Sequence, residues 1–204
     1  MNKLLLATNN KGKLRELQAI LNGLPIQLVT PADIHLDLDV EEDGVTYAEN
    51  AAKKAIAFAR ASGLTCLADD SGLEVDALGG APGLYSARYG PPRPDGTAGK
   101  YSDAERRTYL LENLRGKPRP WAARFRATVA VAGPEGSVEI VEGICEGEVI
   151  PEERGDGGFG YDPIFFMPAL GQTMAELPEE TKNRLSHRAR AVEAAKPILR
   201  KIFG

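Results

Sequence analysis

The stretch KLLLATNNKGKLRELQAILNG, residues 3–23, changes its hydrophobic period within a few residues, and this change constrains the fold more than any other feature of the chain. Lys3 to Ala7 is a short, nearly continuous apolar run, as expected of a strand buried on both faces. Leu14, Leu17 and Leu21 then recur at helical spacing, with Gly23 as a stop. A buried strand joined by a polar turn to an amphipathic helix opens an α/β arrangement, in which helices cover a sheet.

The alternation continues. Thr46-x-x-Glu49 is a capping box that starts a second helix, with Ala48, Ala52, Ala55, Ile56 and Ala59 expected inward and Gly63 as its end. A strand through Cys66 to Ala68 follows, expected to finish on Asp69 and Asp70 before a Ser71-Gly72 turn. Ser102-x-x-Glu105 opens a third helix running through Leu110, Leu111 and Leu114 to Gly116. Phe125, Ala127, Val129 and Val131 alternate with Arg124, Arg126 and Thr128 ahead of a Gly-Pro-Glu-Gly turn, which predicts a hairpin. Beyond Ser186, Val192, Ala195, Leu199 and Ile202 fall at helical spacing, with Pro197 expected to kink or interrupt the helix. Gly79 to Gly99 is too rich in Gly and Pro for regular structure. The pattern predicts an α/β fold, a mixed sheet flanked by helices, in one domain over residues 1–204.

Composition excludes several functional classes. A hydrophobic fraction of 43% and a charged fraction of 26% suit a globular chain and not a disordered one. The net charge of −4, with no long Lys/Arg block, argues against a nucleic-acid polymer as partner. No apolar run is long enough to span a membrane, and Leu4 to Ala7 is too short for the core of a signal peptide. Cys66 and Cys145 lack the spacing of zinc or redox motifs, so a reducing, cytoplasmic setting is expected.

Two motifs mimic nucleotide-binding loops. GDGGFG, Gly155 to Gly160, has the dinucleotide spacing but does not lead from a strand into a helix. The run ending GKY, Gly99 to Tyr101, has Pro94 at the first glycine position of a P-loop and Tyr101 where Ser or Thr is needed. The stronger phosphate candidate is ATNNKGK, between the first strand and first helix, where unpaired N–H groups and the helix dipole attract an anion. Lys13 adds a point charge there, although an ordinary cap at Asn9 or Asn10 with a solvated lysine accounts for the same residues. Glu41, Glu42 and Asp43 form a second acidic group that, with Asp69 and Asp70, offers the oxygen ligands Mg2+ prefers when substrate phosphates complete its shell; Lys54 lies one turn beyond Asn50. A third candidate is FGYDPIF at Phe159 to Phe165, with Lys182 and Ser186 to Arg188, combining an aromatic ring with an Arg-His pair of donors suited to a nucleobase edge.

Taken in order, ATNNKGKLREL, EEDGVTYAENAAKKA, LADDSGLEVDALGGAPGLYSARY, GGFGYDPIF and LPEETKNRLSHR resemble the inosine triphosphate pyrophosphatase family over nearly the whole chain. The resemblance implies an enzyme that hydrolyses non-canonical purine nucleoside triphosphates such as ITP, dITP and XTP, with Mg2+, to the monophosphate and pyrophosphate. It also implies an elongated two-lobed α/β fold around a central mixed twisted sheet, an active-site cleft between the lobes, and a homodimer. Under it Thr8, Asn9, Asn10, Lys11, Gly12 and Lys13 hold phosphate, and Asp70 is the proton acceptor. Glu42 or Glu41 serves the metal with Asp70 or Asp69, and Lys54 and Ser71 contact the substrate. Phe159, Gly160, Tyr161 and Asp162 pack on base and sugar, and Lys182, His187 and Arg188 complete the nucleotide site.

Overall fold

The structure, a computed structural model, describes residues 2–92 and 101–204. The first half contains β1 (Lys3–Leu6), α1 (Lys11–Leu21), β2 (Gln27–Val29), α2 (Tyr47–Ser62) and β3 (Thr65–Val75). There follow α3 (Asp103–Leu114), β4 (Trp121–Ala132), β5 (Val138–Val149), β6 (Phe165–Met167), β7 (Gln172–Thr173), α4 (Glu179–Leu185) and α5 (His187–Phe203). The strands form a seven-stranded sheet in the order β2-β1-β3-β4-β5-β6-β7. β1 runs parallel to both β2 and β3, whereas β6 is antiparallel to β5 and β7, so the sheet is mixed as expected. By contacts the chain forms two compact units, one of Met1–Ser71, Ala127–Ile144 and Asn183–Gly204, the other of Gly72–Arg126 and Cys145–Lys182.

In the first unit the pleat sorts side chains into two cores. Leu4, Leu6 and Leu67 face Leu17, Ile20 and Leu21 of α1 and Ala191, Val192, Ala195 and Leu199 of α5. Leu5, Ala7, Cys66 and Ala68 face Ala51, Ala55, Phe58 and Ala59 of α2. Alternate residues of β1 and β3 therefore meet different helices, which is why the strand sequence reads as a continuous apolar run. The same two-sided cover reaches β4, where Ala127, Val129 and Val131 join one core and Ala130 and Ala132 the other. The outward polar positions expected of this hairpin strand hold only for its first half, and Thr128 is fully buried.

Several expectations change. Asp69 and Asp70 do not end a strand: β3 continues through Ser71 and Gly72 to Val75, so the predicted turn is strand. β1 stops at Leu6, the Ala7 N–H makes one more bond to Leu67 O at 2.9 Å, and the chain then leaves for α1. The acids thus lie just past the carboxyl end of β1, where ligands bind in open α/β sheets. The inward face of α2 is Tyr47, Asn50, Ala51, Ala55, Phe58 and Ala59, rotated from the predicted stripe. Thr46 caps the Glu49 N–H, but the Glu49 carboxylate accepts from the Val45 N–H at 2.8 Å, so the reciprocal half of the box is displaced by one residue. Ser102 and Glu105 do form the complete box on α3.

α5 runs through Pro197 without interruption. An interior proline costs about 3 kcal/mol. Burial of Val192 and Leu199, each fully buried, contributes about 1.5–3 kcal/mol apiece and outweighs that cost. Ile202, expected inward, is exposed. Within the Gly/Pro-rich stretch, Gly83–Arg88 forms a 3-10 helix. Pro94, Gly99 and Lys100 of the P-loop mimic lie outside the described residues. The GDGGFG mimic precedes only a three-residue 3-10 turn, Asp162–Ile164, and no α-helix starts there. β2, β6, β7 and α4 had no counterpart in the sequence pattern.

Candidate active site

Asn10 caps α1: its Oδ1 accepts the N–H groups of Gly12 at 2.9 Å and Lys13 at 3.0 Å. The turn is therefore a capped helix start, with Thr8 Oγ1 accepting the Asn10 N–H at 3.2 Å and Asn9 and Lys11 exposed. Lys13 is not a solvated surface lysine. Its Nζ lies 3.1 Å from Asp69 Oδ2, and that carboxylate is fully buried. Burial, with the nearby charges of Arg188 and Lys54, brings the Lys13 pKa below its ordinary value despite the attraction of Asp69.

Asp69 gathers cations from three helices. Arg188 Nε of α5 donates to Oδ2 at 3.1 Å, Ser71 Oγ approaches the same oxygen at 3.4 Å, and Lys54 Nζ of α2 donates to the backbone oxygen at 3.2 Å. Burial works to raise the Asp69 pKa, but Lys13, Arg188 and Lys54 together hold it well below the usual carboxylate range. Asp69 is a fixed anion. Its second oxygen, Oδ1, is buried with no hydrogen-bond partner among the described residues.

Asp70, the next residue, projects to the opposite face of the strand and meets α2. Asn50 Nδ2 donates to Asp70 Oδ2 at 3.0 Å, and the Ser71 N–H donates to Oδ1 at 2.9 Å. Burial raises the Asp70 pKa, and the charge of Glu42 adds to the rise against the opposing effects of Lys13, the Asn50 hydrogen bond and Lys54. One strand thus presents two adjacent carboxylates whose pKa values are pushed apart, the usual condition for different roles in acid-base chemistry. Glu42 pairs with Lys54, whereas Glu41 is exposed.

Arg188 is 2% exposed and its guanidinium is held in one orientation, Nη1 on Glu16, Nε on Asp69 and Nη2 on Ser71 Oγ at 2.9 Å. His187 is the first residue of α5 and is buried. In the second unit, Lys182 Nζ lies 2.6 Å from Asp162 Oδ2 and 5.0 Å from the centroid of the Phe159 ring. Both charged groups are buried, which requires such pairing. Gly158 has φ +72°, and a Cβ there would stand 2.0 Å from Asp162 Oδ2, so the pair fits only beside a glycine. Tyr161 is buried, with its hydroxyl donating to Ser86 O at 2.9 Å. Burial pushes the Cys66 thiol up to about 12, which removes it as a nucleophile at neutral pH.

The model of the Ham1 family matches residues 4–198. The chain belongs to the Ham1 family. A dITP/XTP pyrophosphatase of Desulforamulus reducens is 48% identical over 202 residues, covering 98% of this chain and 97% of that protein. One from Thermus thermophilus is 50% identical over 193 residues, covering 94% and 89%. The solved HAM1 protein of Coxiella burnetii superimposes with a TM-score of 0.86 at 38% identity, covering 98% of this chain and all of that one. With the Ham1 fold in view, two residues given no role in the sequence reading stand out. Glu16 is buried on the apolar face of α1, four residues before Ile20, and a carboxylate in that stripe was the readable signal for its partner Arg188. Asn50 lies one turn before Lys54, and its Oδ1 accepts the Gly44 N–H at 2.8 Å while its Nδ2 holds Asp70.

Proposed function

We propose that this Ham1 chain hydrolyses non-canonical purine nucleoside triphosphates, ITP, dITP and XTP, to the nucleoside monophosphate and pyrophosphate. The observation that carries the reading is the Asp69/Asp70 pair, one acid clamped as an anion by Lys13 and Arg188, the other held with a raised pKa. Asp70 accepts a proton from the water that attacks the α-phosphorus. The new bond is P–O from that water, the broken bond joins the α-phosphorus to the bridging oxygen, and pyrophosphate leaves. A raised but still accessible pKa suits a base that must release its proton after each turnover. Lys13 and Lys54 hold the phosphate oxygens by charge, aided by the positive end of the α1 dipole.

The donor chemistry fits Mg2+. Glu16, Glu42, Asp69 and Asp70 outnumber Lys13, Lys54 and Arg188 by one charge, so an incoming triphosphate meets a net negative cluster unless a cation accompanies it. Asp69 Oδ1 is a buried oxygen without a partner among the described residues. Among those residues no group of three His, Cys, Asp or Glu forms a metal cage, which is consistent with an ion held by one or two carboxylates and by substrate phosphates. Glu42 with Asp70 or Asp69 would hold it, and Glu41, the alternative to Glu42, is exposed. When bound, Mg2+ neutralises charge on the phosphate oxygens.

For the base, hypoxanthine and xanthine carry an acceptor oxygen at the 6-position, where adenine carries a donor. Arg188 has only donors, and His187 can donate, so these residues suit the keto purines. Phe159 supplies a ring for stacking, beside Lys182 and Asp162. A homodimer, which the family resemblance implies, and a cytoplasmic setting complete the reading; the two unlinked, buried cysteines suit a reducing compartment. The test incubates the protein with ITP, dITP, XTP, ATP and GTP, with Mg2+ and with EDTA, and resolves pyrophosphate from orthophosphate. Orthophosphate as first product, or equal rates on all five nucleotides, would overturn it.

A further inference from the structure

In the second unit the loop carrying Phe159 and Asp162 is fastened from outside at a single residue, Gly160. α3 places Asp103 and Arg107 four residues apart on one helix face. Asp103 Oδ2 accepts the Gly160 N–H at 2.6 Å, and Arg107 Nη1 donates to Gly160 O at 2.8 Å. Both polar groups of one residue are thus taken by one helix. Arg107 is itself locked, because Nε and Nη2 grip Glu153 Oε1 and Oε2 at 2.8 and 2.9 Å in a two-toothed pair. Arg106 pairs with the other Asp103 oxygen.

Gly160 has φ +65°, a left-handed conformation that is easily reached and easily lost by glycine, so the loop has little intrinsic preference for this path. On one side of Gly160 stands the Phe159 ring under Lys182; on the other, Asp162 accepts the Phe159 N–H at 2.8 Å and holds Lys182. A change of backbone path at Gly160 would displace the Phe159 ring relative to Asp162.

We propose that Asp103 and Arg107 are positioning residues that set base selection by fixing Gly160 on both its peptides, and through it the Phe159 ring and the Asp162 carboxylate. The inference rests on the pyrophosphatase reading given above, with Phe159 and Asp162 at the base. Both α3 residues hold the loop at Gly160, so the clamp is assigned to recognition and not to the hydrolytic step.

The test compares wild type with Arg107→Met, which keeps the aliphatic stem, with Arg107→Lys, which keeps a cation without the fork, and with Asp103→Ala. For each, kcat and KM are measured on ITP and GTP, with the inhibition constant of pyrophosphate and the melting temperature. Loss of one charge-assisted hydrogen bond at the loop should raise the KM for ITP on the order of tenfold in Arg107→Met, with kcat within about twofold and pyrophosphate inhibition unchanged. The ITP-to-GTP preference should fall in the same variant and recover in part in Arg107→Lys. An unchanged preference, or equal losses in kcat and in pyrophosphate binding, overturns the clamp and leaves α3 a structural helix. If Arg107→Met does not fold, the Arg107→Lys and Asp103→Ala preferences decide by the same criterion. Wild type that releases no pyrophosphate from ITP overturns the function reading instead, and is distinguishable because it needs no variant.

Discussion

Asp70→Asn isolates proton acceptance from shape. The two Asp70 oxygens each take one donor, Asn50 Nδ2 at 3.0 Å and the Ser71 N–H at 2.9 Å. An amide satisfies one of them and turns its own N–H2 toward the other. If Asn50 rotated to offer its oxygen, the Gly44 N–H would lose its acceptor, so the mismatch moves and does not vanish. An unmet buried donor costs about 1–3 kcal/mol. Against this, the variant no longer holds a buried carboxylate whose charged form burial disfavours. The net loss should fall near the lower end, a melting temperature roughly 2–4 °C below wild type for a chain of this size. Turnover should fall much further, by about 10²–10⁴-fold, because the amide accepts no proton and carries no charge toward a metal. Pyrophosphate release from saturating ITP, measured beside a thermal melt, separates the two effects. A folded variant that keeps more than about a tenth of wild-type kcat would reduce Asp70 to a structural strand residue.

Further outcomes follow from the same geometry. Lys13→Met should raise the KM for ITP and, because Asp69 keeps Arg188 and Ser71, cost only about 1–3 kcal/mol in urea unfolding; an unaltered KM would leave the first loop a capped helix and nothing more. Arg188→Ala removes the guanidinium that the buried Glu16 and Asp69 carboxylates share and should cost about 3–5 kcal/mol. At temperatures where that variant remains folded, the margin of ITP over ATP should narrow, and a constant ratio would remove Arg188 from base selection. The two acids should tilt pH stability in opposite senses when unfolding is followed in EDTA from about pH 3 to 7. Asp69 has a depressed folded pKa, so its contribution is complete above about pH 4 and is lost as pH falls below, and Asp69→Asn should flatten that loss. Asp70 has a raised folded pKa, so wild type loses stability as pH climbs through about 4 and beyond, and Asp70→Asn should remove that decline; changes of the same sign in both variants would contradict the split.

The sequence disclosed most where a residue's neighbours in the chain decide its structure. The switch of period after Ala7, the stop at Gly63 and the Ser102/Glu105 box are local signals, and β1, α1, α2 and α3 appear at those places. The misreadings have one cause, tertiary contact outweighing local preference. Asp69, Asp70, Ser71 and Gly72 look like a turn, yet Lys13, Arg188 and Asn50 satisfy the acids and let the strand continue. Pro197 looks like a stop, yet Val192 and Leu199 hold the helix on the core. Arg188 reads only as a base-edge donor beside His187 because nothing near it in sequence reveals Glu16, which lies 172 residues earlier.

The adjacency of the two acids follows from the strand that carries them. Residues alternate between faces along β3, so Asp69 shares a side with Leu67 and meets α1 and α5, while Asp70 shares a side with Ala68 and meets α2. A carboxylate at position 71 would lie on the Asp69 face, and Ser71 is already in contact there with Arg188 and Asp69. The same cations would depress its pKa and leave the site with two fixed anions and no base. Only neighbouring positions place one acid among Lys13 and Arg188 and the other beside Asn50 and near Glu42, with no more than one peptide between them. On the proposed reading, the pleat itself separates the anion from the proton acceptor.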